Sequence, residues 1–298
     1  MHLTISGYST ALYSTWYCIK EWKLLFDAGD GLVASLIGKS GRIRNVFISH
    51  ADRDHIAGLL QFNQLNAKPG YPKIFYPKHA RSISALEEFS KVFDRQVAQT
   101  CWKGIDHNEI VPLATELQVQ AHRNGHVRAP ADTIKSAGFI VQQTRRKLQQ
   151  QYLHLSAAEI RELRKTYGEE NITELITANL LGYSGDTPVE NFERWNNIRV
   201  LIHEATFLEK SELDDSDKRY NLHSSLEEVM EASSRINIGS LVLGHFSSRY
   251  KQAEIDDAIL SGCREHKVSF RVYRLLPGIY YPDILGDESS ALIWNGAH

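Results

Sequence analysis

One short polar segment of the chain carries four side chains that could bind a metal ion. His50, Asp52, Asp54 and His55 follow the apolar run 46–48, which predicts a buried strand, and they precede the apolar spacing of a helix. Alternate residues of an extended segment point to the same side, and His55 joins them where the helix begins. Imidazoles and carboxylates are ligands that divalent ions such as Zn²⁺ accept. The spacing therefore predicts a metal site at a strand-to-helix corner.

The same four residues also fit a simpler interpretation. Aspartate is common at helix starts, where its carboxylate accepts backbone N–H groups and interacts favourably with the helix dipole. Taken alone, this segment is explained equally well as an acidic N-cap cluster on a surface loop. The rest of the chain favours the metal site.

Polar side chains also follow three apolar strands predicted in the second half of the chain. The strand at 177–182 is followed by Ser184-Gly185-Asp186, the strand at 199–202 by His203-Glu204, and the strand at 240–244 by His245. His203 by itself is more simply a satisfied core residue, as lone histidines on apolar strands usually are. Polar groups thus collect at strand ends, where they could meet the 50–55 segment.

The elements that must position these groups form two similar halves, each with strands first and helices after. Strands are predicted at 2–6, 13–20, 23–27, 117–122 and 138–143, and helices at 80–95, from Ser156 to about Tyr167, at 225–236 and at 252–265. The helix after Ser156 has the Ser-x-x-Glu pattern of a capping box. We predict one domain, residues 1–298, with a short polar helical insertion at about 143–176.

The composition is typical of a compact soluble protein, with 42% hydrophobic and 23% charged residues among 298. The formal charge of −2 excludes a global basic field that would recruit nucleic acid, although a local basic patch is compatible with it. Cys18, Cys101 and Cys263 form no CxxC pair, which is typical of a reducing compartment. We find no export signal and no apolar run of about 18 residues, so we expect a cytoplasmic protein without a membrane anchor.

The order of these motifs resembles that of the metallo-β-lactamase superfamily, whose hallmark is His-x-His-x-Asp-His after a buried strand, followed by a distant His, an Asp and a last His. Within it, ribonuclease Z and its relatives look most similar. The further motifs that carry the resemblance are Gly185-Asp186-Thr187, His203-Glu204-Ala205-Thr206, His223-Ser224-Ser225 and Gly244-His245-Phe246-Ser247-Ser248-Arg249-Tyr250. The resemblance covers nearly the whole chain and implies an α/β fold, a four-layer αββα sandwich with a dinuclear site at one sheet edge.

The resemblance also implies seven ligands for two divalent metal ions. The two sets, which share Asp186, are His50, Asp52, Asp132 and Asp186 at site one, and Asp54, His55, Asp186 and His245 at site two. Asp52 and Asp132 stand where the family has histidines, and His122 or His126 could replace Asp132 after a small loop shift. Because carboxylates are harder donors than imidazoles, site one should accept Mn²⁺ or Fe²⁺ as well as Zn²⁺, whereas site two suits Zn²⁺.

The implied chemistry is two-metal hydrolysis, in which a hydroxide held between the ions attacks a phosphorus or carbonyl centre. Asp54 would orient or deprotonate that water. His223, aligned by Glu204, would give a proton to the leaving oxygen. The segment Ser247-Ser248-Arg249 could hold a substrate phosphate, although the two serines are explained equally well by a turn.

The resemblance points to a phosphodiesterase or endonuclease that, like ribonuclease Z, would cleave the 3′ trailer of precursor tRNA as a homodimer. Basic residues between 145 and 165 could contact RNA phosphates, or could simply form a solvated helix face. Two alternatives stay open: a small-molecule metallo-hydrolase for a cyclic nucleotide, lactone or thioester, and a non-catalytic scaffold that has lost two histidine ligands. Bound metal and hydrolysis of a simple phosphodiester would separate the scaffold from the enzymes.

Overall fold

The computed structural model describes residues 3–213, 222–287 and 289–296. Two β-sheets pack face to face around an apolar core, and a further apolar cluster on the outer face of each sheet is formed with helices. Each sheet can bury both of its faces only in such a layered arrangement. The αββα sandwich predicted from the sequence is confirmed.

The first sheet is built from the first third of the chain. In both chain and spatial order its strands are β1 (Ile5–Thr10), β2 (Ser14–Ile19), β3 (Leu24–Phe26), β4 (Asn45–Phe47), β5 (Lys73–Pro77) and β6 (Cys101–Ile105). The strand predicted at 2–6 lies at Ile5–Thr10 instead. Its polar half was missed because Ser9 is buried with its hydroxyl 3.2 Å from that of Thr15 on β2, so a strand interior here is not apolar.

The second sheet contains the strands whose ends carry polar groups. Its strands are β7 (Ile110–Ala114), β8 (Leu117–Arg123), β9 (Ala137–Leu148), β10 (Thr173–Tyr183), β11 (Ile198–Glu204), β12 (Ile238–Gly244), β13 (Arg271–Arg274) and β14 (Leu292–Trp294), arranged in reverse order from β14 to β7. Strands β10 to β13 are parallel neighbours. Because their carboxyl ends share one edge, the residues that follow β10, β11 and β12 meet there.

The helices flank the two sheets. They are α1 (Leu32–Ser35), α2 (Arg53–Ile56), α3 (Leu59–Asn66), α4 (Arg81–Phe93), α5 (Ala157–Tyr167), α6 (Glu169–Ile172), α7 (Leu226–Ser234) and α8 (Gln252–Glu265). Ser156 and Glu159 form the predicted capping box of α5, and Ser225 caps α7 in the same way. No helix among the described residues is long and apolar enough to cross a membrane.

Aromatic side chains join the two sheets directly behind the polar edge. Phe26 of β3 lies 5.7 Å from Phe139 of β9 and 5.1 Å from Tyr183 of β10, measured between ring centroids. Phe47 of β4 lies 5.3 Å from the same Phe139 ring. These contacts fix the ends of β3 and β4 against those of β9 and β10, so residues from both sheets are held at one edge.

The segment predicted as a polar insertion is continuous with the second sheet. Strands β9 and β10 form a long antiparallel hairpin that pairs Thr173 with Leu148 at its far end, and α5 and α6 lie between them in the chain. Its outer half is exposed on both faces, so its sequence lacks the period-two alternation of a half-buried strand. The single-domain organisation stays a prediction.

Candidate metal centre

Four side chains predicted for site two come together at the shared edge. The Nε2 atom of His245 lies 3.2 Å from Oδ2 of Asp54 and 3.2 Å from Oδ2 of Asp186. The Nε2 atom of His55 lies 3.3 Å from the same Asp186 oxygen and 3.4 Å from Nε2 of His245. All four are buried, and their possible ligand atoms lie within 4.8 Å of one another.

A second group lies beside the first. Oδ2 of Asp52 is 3.7 Å from Nε2 of His50 and 3.5 Å from Nε2 of His126. The Asp186 oxygen that faces the first group is also 3.7 Å from Nε2 of His50. Asp186 thus stands between the two groups, as the resemblance implies for a bridging carboxylate.

The prediction for Asp132 is not supported by its position. Its side chain is exposed and accepts a hydrogen bond from the Thr133 hydroxyl at 3.3 Å, outside both groups. His126 stands in its place, while His122 lies within β8 opposite Gly138. His126 follows the end of β8, as the strand-end pattern used for the second half of the chain would expect of a ligand, and it is one of the two histidines left open as alternatives to Asp132.

Each of the four imidazoles in these groups is held through Nδ1. The acceptors are Ser49 Oγ for His50 at 2.9 Å, Asp27 Oδ2 for His55 at 2.7 Å, the Leu222 carbonyl for His126 at 2.8 Å and Thr206 Oγ1 for His245 at 2.9 Å. These bonds place the Nδ1 protons and turn the Nε2 lone pairs toward the carboxylates. Nε2 of His50 and of His126 is buried without a hydrogen-bond partner among the described residues. Orphaned, convergent lone pairs of this kind fit metal ions.

Asp27 is a supporting residue that sequence reasoning missed. Its buried carboxylate accepts hydrogen bonds from the Ser49 backbone N–H at 2.6 Å, the Ser49 hydroxyl at 2.7 Å, His55 Nδ1 and the Tyr183 hydroxyl. It therefore orients His55 directly and His50 through Ser49. The available signal was its place at the end of the strand predicted at 23–27, which we interpreted only as a chain reversal.

The charges of the cluster suit a cation. Burial alone would raise the pKa of Asp186, but His245 and His55 hold it well below its usual range. Burial, with His55 nearby, holds the pKa of His50 well below its usual range. The ionised carboxylate of Asp186 and the neutral imidazole of His50 are the forms that bind metals. Burial opposes a charge on His55, but Asp186 and Asp27 outweigh it and hold the pKa of His55 well above its usual range, so a metal ion would displace a proton there.

Packing fixes the backbone at this edge. Asp27 and His245 have left-handed φ angles of 53° and 62°, which are uncommon for residues other than glycine. A Cβ atom on Gly29 would lie 2.4 Å from the carbonyl oxygen of Asp54, and one on Gly58 only 2.2 Å from that of Gly29. Only glycines let the 27–29 turn pack this closely against the ligand segment, so these strained conformations are over-determined by their surroundings.

The predicted proton donor also lies at this edge. Nδ1 of His223 is 3.0 Å from Oε1 of the buried Glu204, which also accepts from the Thr187 backbone N–H at 2.8 Å and the Thr206 hydroxyl at 2.5 Å. Burial opposes a charge on His223, but Glu204 outweighs it and raises the pKa of His223 to about 9. His223 therefore carries a proton at neutral pH. His203 is buried and hydrogen-bonds the Glu204 carbonyl, as expected of a structural residue.

The segment Ser247-Ser248-Arg249 forms a turn. The Ser247 N–H donates to the Thr206 carbonyl at 3.1 Å, and the Tyr250 N–H donates to the Ser247 carbonyl at 3.2 Å. The Arg249 guanidinium forms an ion pair with Glu212 and lies over the Tyr250 ring at 4.8 Å. Its charge is thus already compensated, and it would have to leave Glu212 to bind a phosphate.

Two matched variants test which residue completes site one. We expect His126→Ala to lose about one equivalent of metal per chain, because it removes one of two imidazoles at that site. Asp132→Ala should keep both equivalents, since Asp132 is exposed and outside the cluster. Elemental analysis of both variants after gel filtration gives the answer, and metal loss confined to Asp132→Ala would restore the original assignment.

Comparison with known proteins agrees with the fold and the cluster. A family described as a beta-lactamase superfamily domain matches residues 23–149. The chain is 32% identical over 286 residues to the chloroplastic tRNase Z TRZ2 of Arabidopsis thaliana, covering 92% of this chain and 75% of that protein. Two solved structures share the fold. The metallo-β-lactamase fold protein YhfI from Bacillus subtilis has a TM-score of 0.61 and 14% identity, and the match covers 94% of this chain and 99% of that one. Human tRNase Z, short form, has a TM-score of 0.56 and 20% identity, and the match covers 83% of this chain and 93% of that one.

The sandwich, the histidine and aspartate cluster at its edge and these matches define a metal-dependent hydrolase of the metallo-β-lactamase superfamily. Within that class, the chain belongs to the ribonuclease Z family. The family resemblance seen in the order of the motifs is therefore confirmed, and so is the class of enzyme.

Proposed function

We propose that this chain is an RNA phosphodiesterase with two divalent metal ions and that precursor tRNA is its substrate. The convergence of four imidazole Nε2 atoms and the carboxylates of Asp52 and Asp54 around the shared carboxylate of Asp186 is the observation that carries the proposal. Relatives named tRNase Z or ribonuclease Z in plants and archaea support the choice of RNA. A homodimer and a cytoplasmic location stay predictions.

The two metal sites that we propose each contain two imidazoles and two carboxylates. They are His50, Asp52, His126 and Asp186 at site one, and Asp54, His55, Asp186 and His245 at site two. When bound, the ions would act as Lewis acids toward the phosphate and lower the pKa of a water molecule. With His126 in place of Asp132, site one is less oxygen-rich than the sequence suggested, so we propose Zn²⁺ at site two and Zn²⁺, Mn²⁺ or Fe²⁺ at site one.

The protein's own groups would orient the water and move the proton. Asp54 is buried and its Oδ2 accepts the Leu12 backbone N–H at 3.0 Å, which fixes the carboxylate that would align the attacking water. His223 would donate its proton to the leaving oxygen, and its side chain is 18% exposed and so remains accessible to substrate. Glu204 acts as a positioning residue, because its carboxylate holds Nδ1 of His223.

The β9–β10 hairpin and the helix α5 between its strands offer fewer free charges than their sequence suggests. Arg145 of β9 pairs with Glu116, and two cations of α5 are paired in the same way, namely Arg164 with Glu169 and Lys165 with Glu162. Exposed ion pairs of this kind compete with phosphate contacts and contribute little to stability. Any contact of the hairpin with RNA would therefore be only part of substrate binding.

An assay on precursor tRNA with added Mn²⁺ or Zn²⁺ tests the proposal. We expect endonucleolytic release of the 3′ trailer, with Asp186→Ala as the inactive control. If the protein hydrolyses bis(p-nitrophenyl) phosphate but leaves precursor tRNA uncleaved, the result would instead favour a small-molecule substrate such as a cyclic nucleotide, lactone or thioester.

A further inference from the structure

A cavity of about 690 Å³ adjoins site one. Its wall is formed by the ligand segment at Asp52, by the loop after β5 at His79, by the start of α4 at Arg81, and by the loop before β9 at Lys135. Asp52 belongs to both the cavity and the metal cluster, since its Oδ2 lies 3.5 Å from Nε2 of His126. A molecule in this cavity would therefore lie next to the metal centre.

The wall of the cavity carries uncompensated positive charge. Arg81 and Lys135 are exposed, and neither has a carboxylate within 4.0 Å in the part of the chain that the structure describes. Among the described residues that line the cavity, Asp52 is the one carboxylate, and it faces His50 and His126. Arg249, by contrast, is already paired with Glu212. The cavity therefore favours an anion.

Two further donors reinforce the positive wall. Helix α4 is 13 residues long and begins at Arg81, so the positive end of the helix dipole adds to the two cations, although the N–H groups of Arg81 and Ile83 already donate to backbone carbonyls. His79 Nδ1 accepts the Ile134 backbone N–H at 3.0 Å. Because Nδ1 accepts this hydrogen bond, a neutral His79 carries its proton on Nε2, which can then donate to an anion.

We propose that this cavity binds a substrate phosphate that neighbours the one undergoing hydrolysis. The inference rests on the proposed function, because it assumes that the reacting phosphodiester lies at the metal centre. Arg81 would offer its planar pair of N–H donors and Lys135 a point charge, a combination suited to phosphate. A cyclic mononucleotide, a lactone and a thioester have no second phosphate, so the cavity selects a nucleic-acid strand.

Mononucleotides that carry one or two phosphates test the subsite without turnover of a diester. We expect the wild-type protein with its metals to bind adenosine 3′,5′-bisphosphate at least about tenfold more tightly than adenosine 5′-monophosphate or 3′-monophosphate, since two phosphates can occupy both positions. In the double variant Arg81→Gln, Lys135→Gln this gain should fall to less than about threefold. Titration calorimetry measures all these dissociation constants.

The matched control is Lys39→Gln, Arg42→Gln, which removes two exposed cations before β4, at the opposite end of that strand from Asp52. This control should keep the full gain in affinity for the bisphosphate over the monophosphates. The conservative double variant Arg81→Lys, Lys135→Arg should restore most of that gain. Absence of the gain in the wild type, or its persistence in the Gln variant, would overturn the proposed subsite. If the gain behaves as expected but the wild type cleaves neither RNA nor bis(p-nitrophenyl) phosphate, the proposed function fails while the phosphate subsite stands.

Discussion

Asp186→Ala is expected to abolish hydrolysis and to remove both metal ions. The Asp186 carboxylate lies 3.2–3.7 Å from Nε2 of His50, His55 and His245, so it is shared by the two groups of ligands. A metal ion contributes several kcal/mol of charge stabilisation in the transition state, which corresponds to a loss of activity of at least about 10³-fold. Elemental analysis and a phosphodiesterase assay on the same preparation measure both effects.

Asp132→Ala is the matched control for this variant, because it makes the same substitution at an exposed carboxylate outside the cluster. It should keep its metal content. Retention of one full equivalent of metal by Asp186→Ala would count against a bridging role, since a ligand of both ions should weaken both sites.

His223→Ala is expected to lower turnover of RNA by about 10²- to 10⁴-fold, the usual contribution of a positioned general acid, while the protein keeps both metal ions. Nδ1 of His223 is held by Glu204 at 3.0 Å and lies 3.8 Å from Asp186. His223 therefore lies beside the metal cluster, but its Nδ1 is already hydrogen-bonded to Glu204 and does not serve as a metal ligand in this assignment. Single-turnover cleavage of precursor tRNA gives the rate, and elemental analysis gives the metal content.

The leaving group provides the control for His223. p-Nitrophenolate leaves readily without a proton, so His223→Ala should slow hydrolysis of bis(p-nitrophenyl) phosphate much less than cleavage of RNA. Equal losses on both substrates, or loss of metal from His223→Ala, would make His223 a ligand or a structural residue rather than the acid.

Most of the site was predictable from the sequence, because polar residues directly follow the predicted apolar strands. Parallel strands place their carboxyl ends at one edge, so Asp186, Glu204 and His245 could be expected to meet the segment 50–55. Helix α8 lies at its predicted 252–265, and α5 begins at its predicted capping box, because cap chemistry is local and readable from spacing.

The errors arose where the decisive contacts are non-local. Whether Asp132 or His126 reaches the cluster depends on the path of the loop between β8 and β9, and His126 is held there by the Leu222 carbonyl, 96 residues away in the chain. Asp27 supports His55 across a turn whose packing only the fold reveals. The buried polar strand near Ser9 was missed for the same reason, since the Ser9 hydroxyl accepts the backbone N–H of His245, 236 residues away in the chain.

Elemental analysis of the native protein, purified without chelator, tests whether this cluster is a dinuclear metal centre. Four imidazoles whose Nε2 atoms face three carboxylates should hold two equivalents of divalent transition metal per chain. Protein that carries no tightly bound transition metal, and that takes up neither Zn²⁺ nor Mn²⁺ on titration, would show that these residues do not form a metal centre.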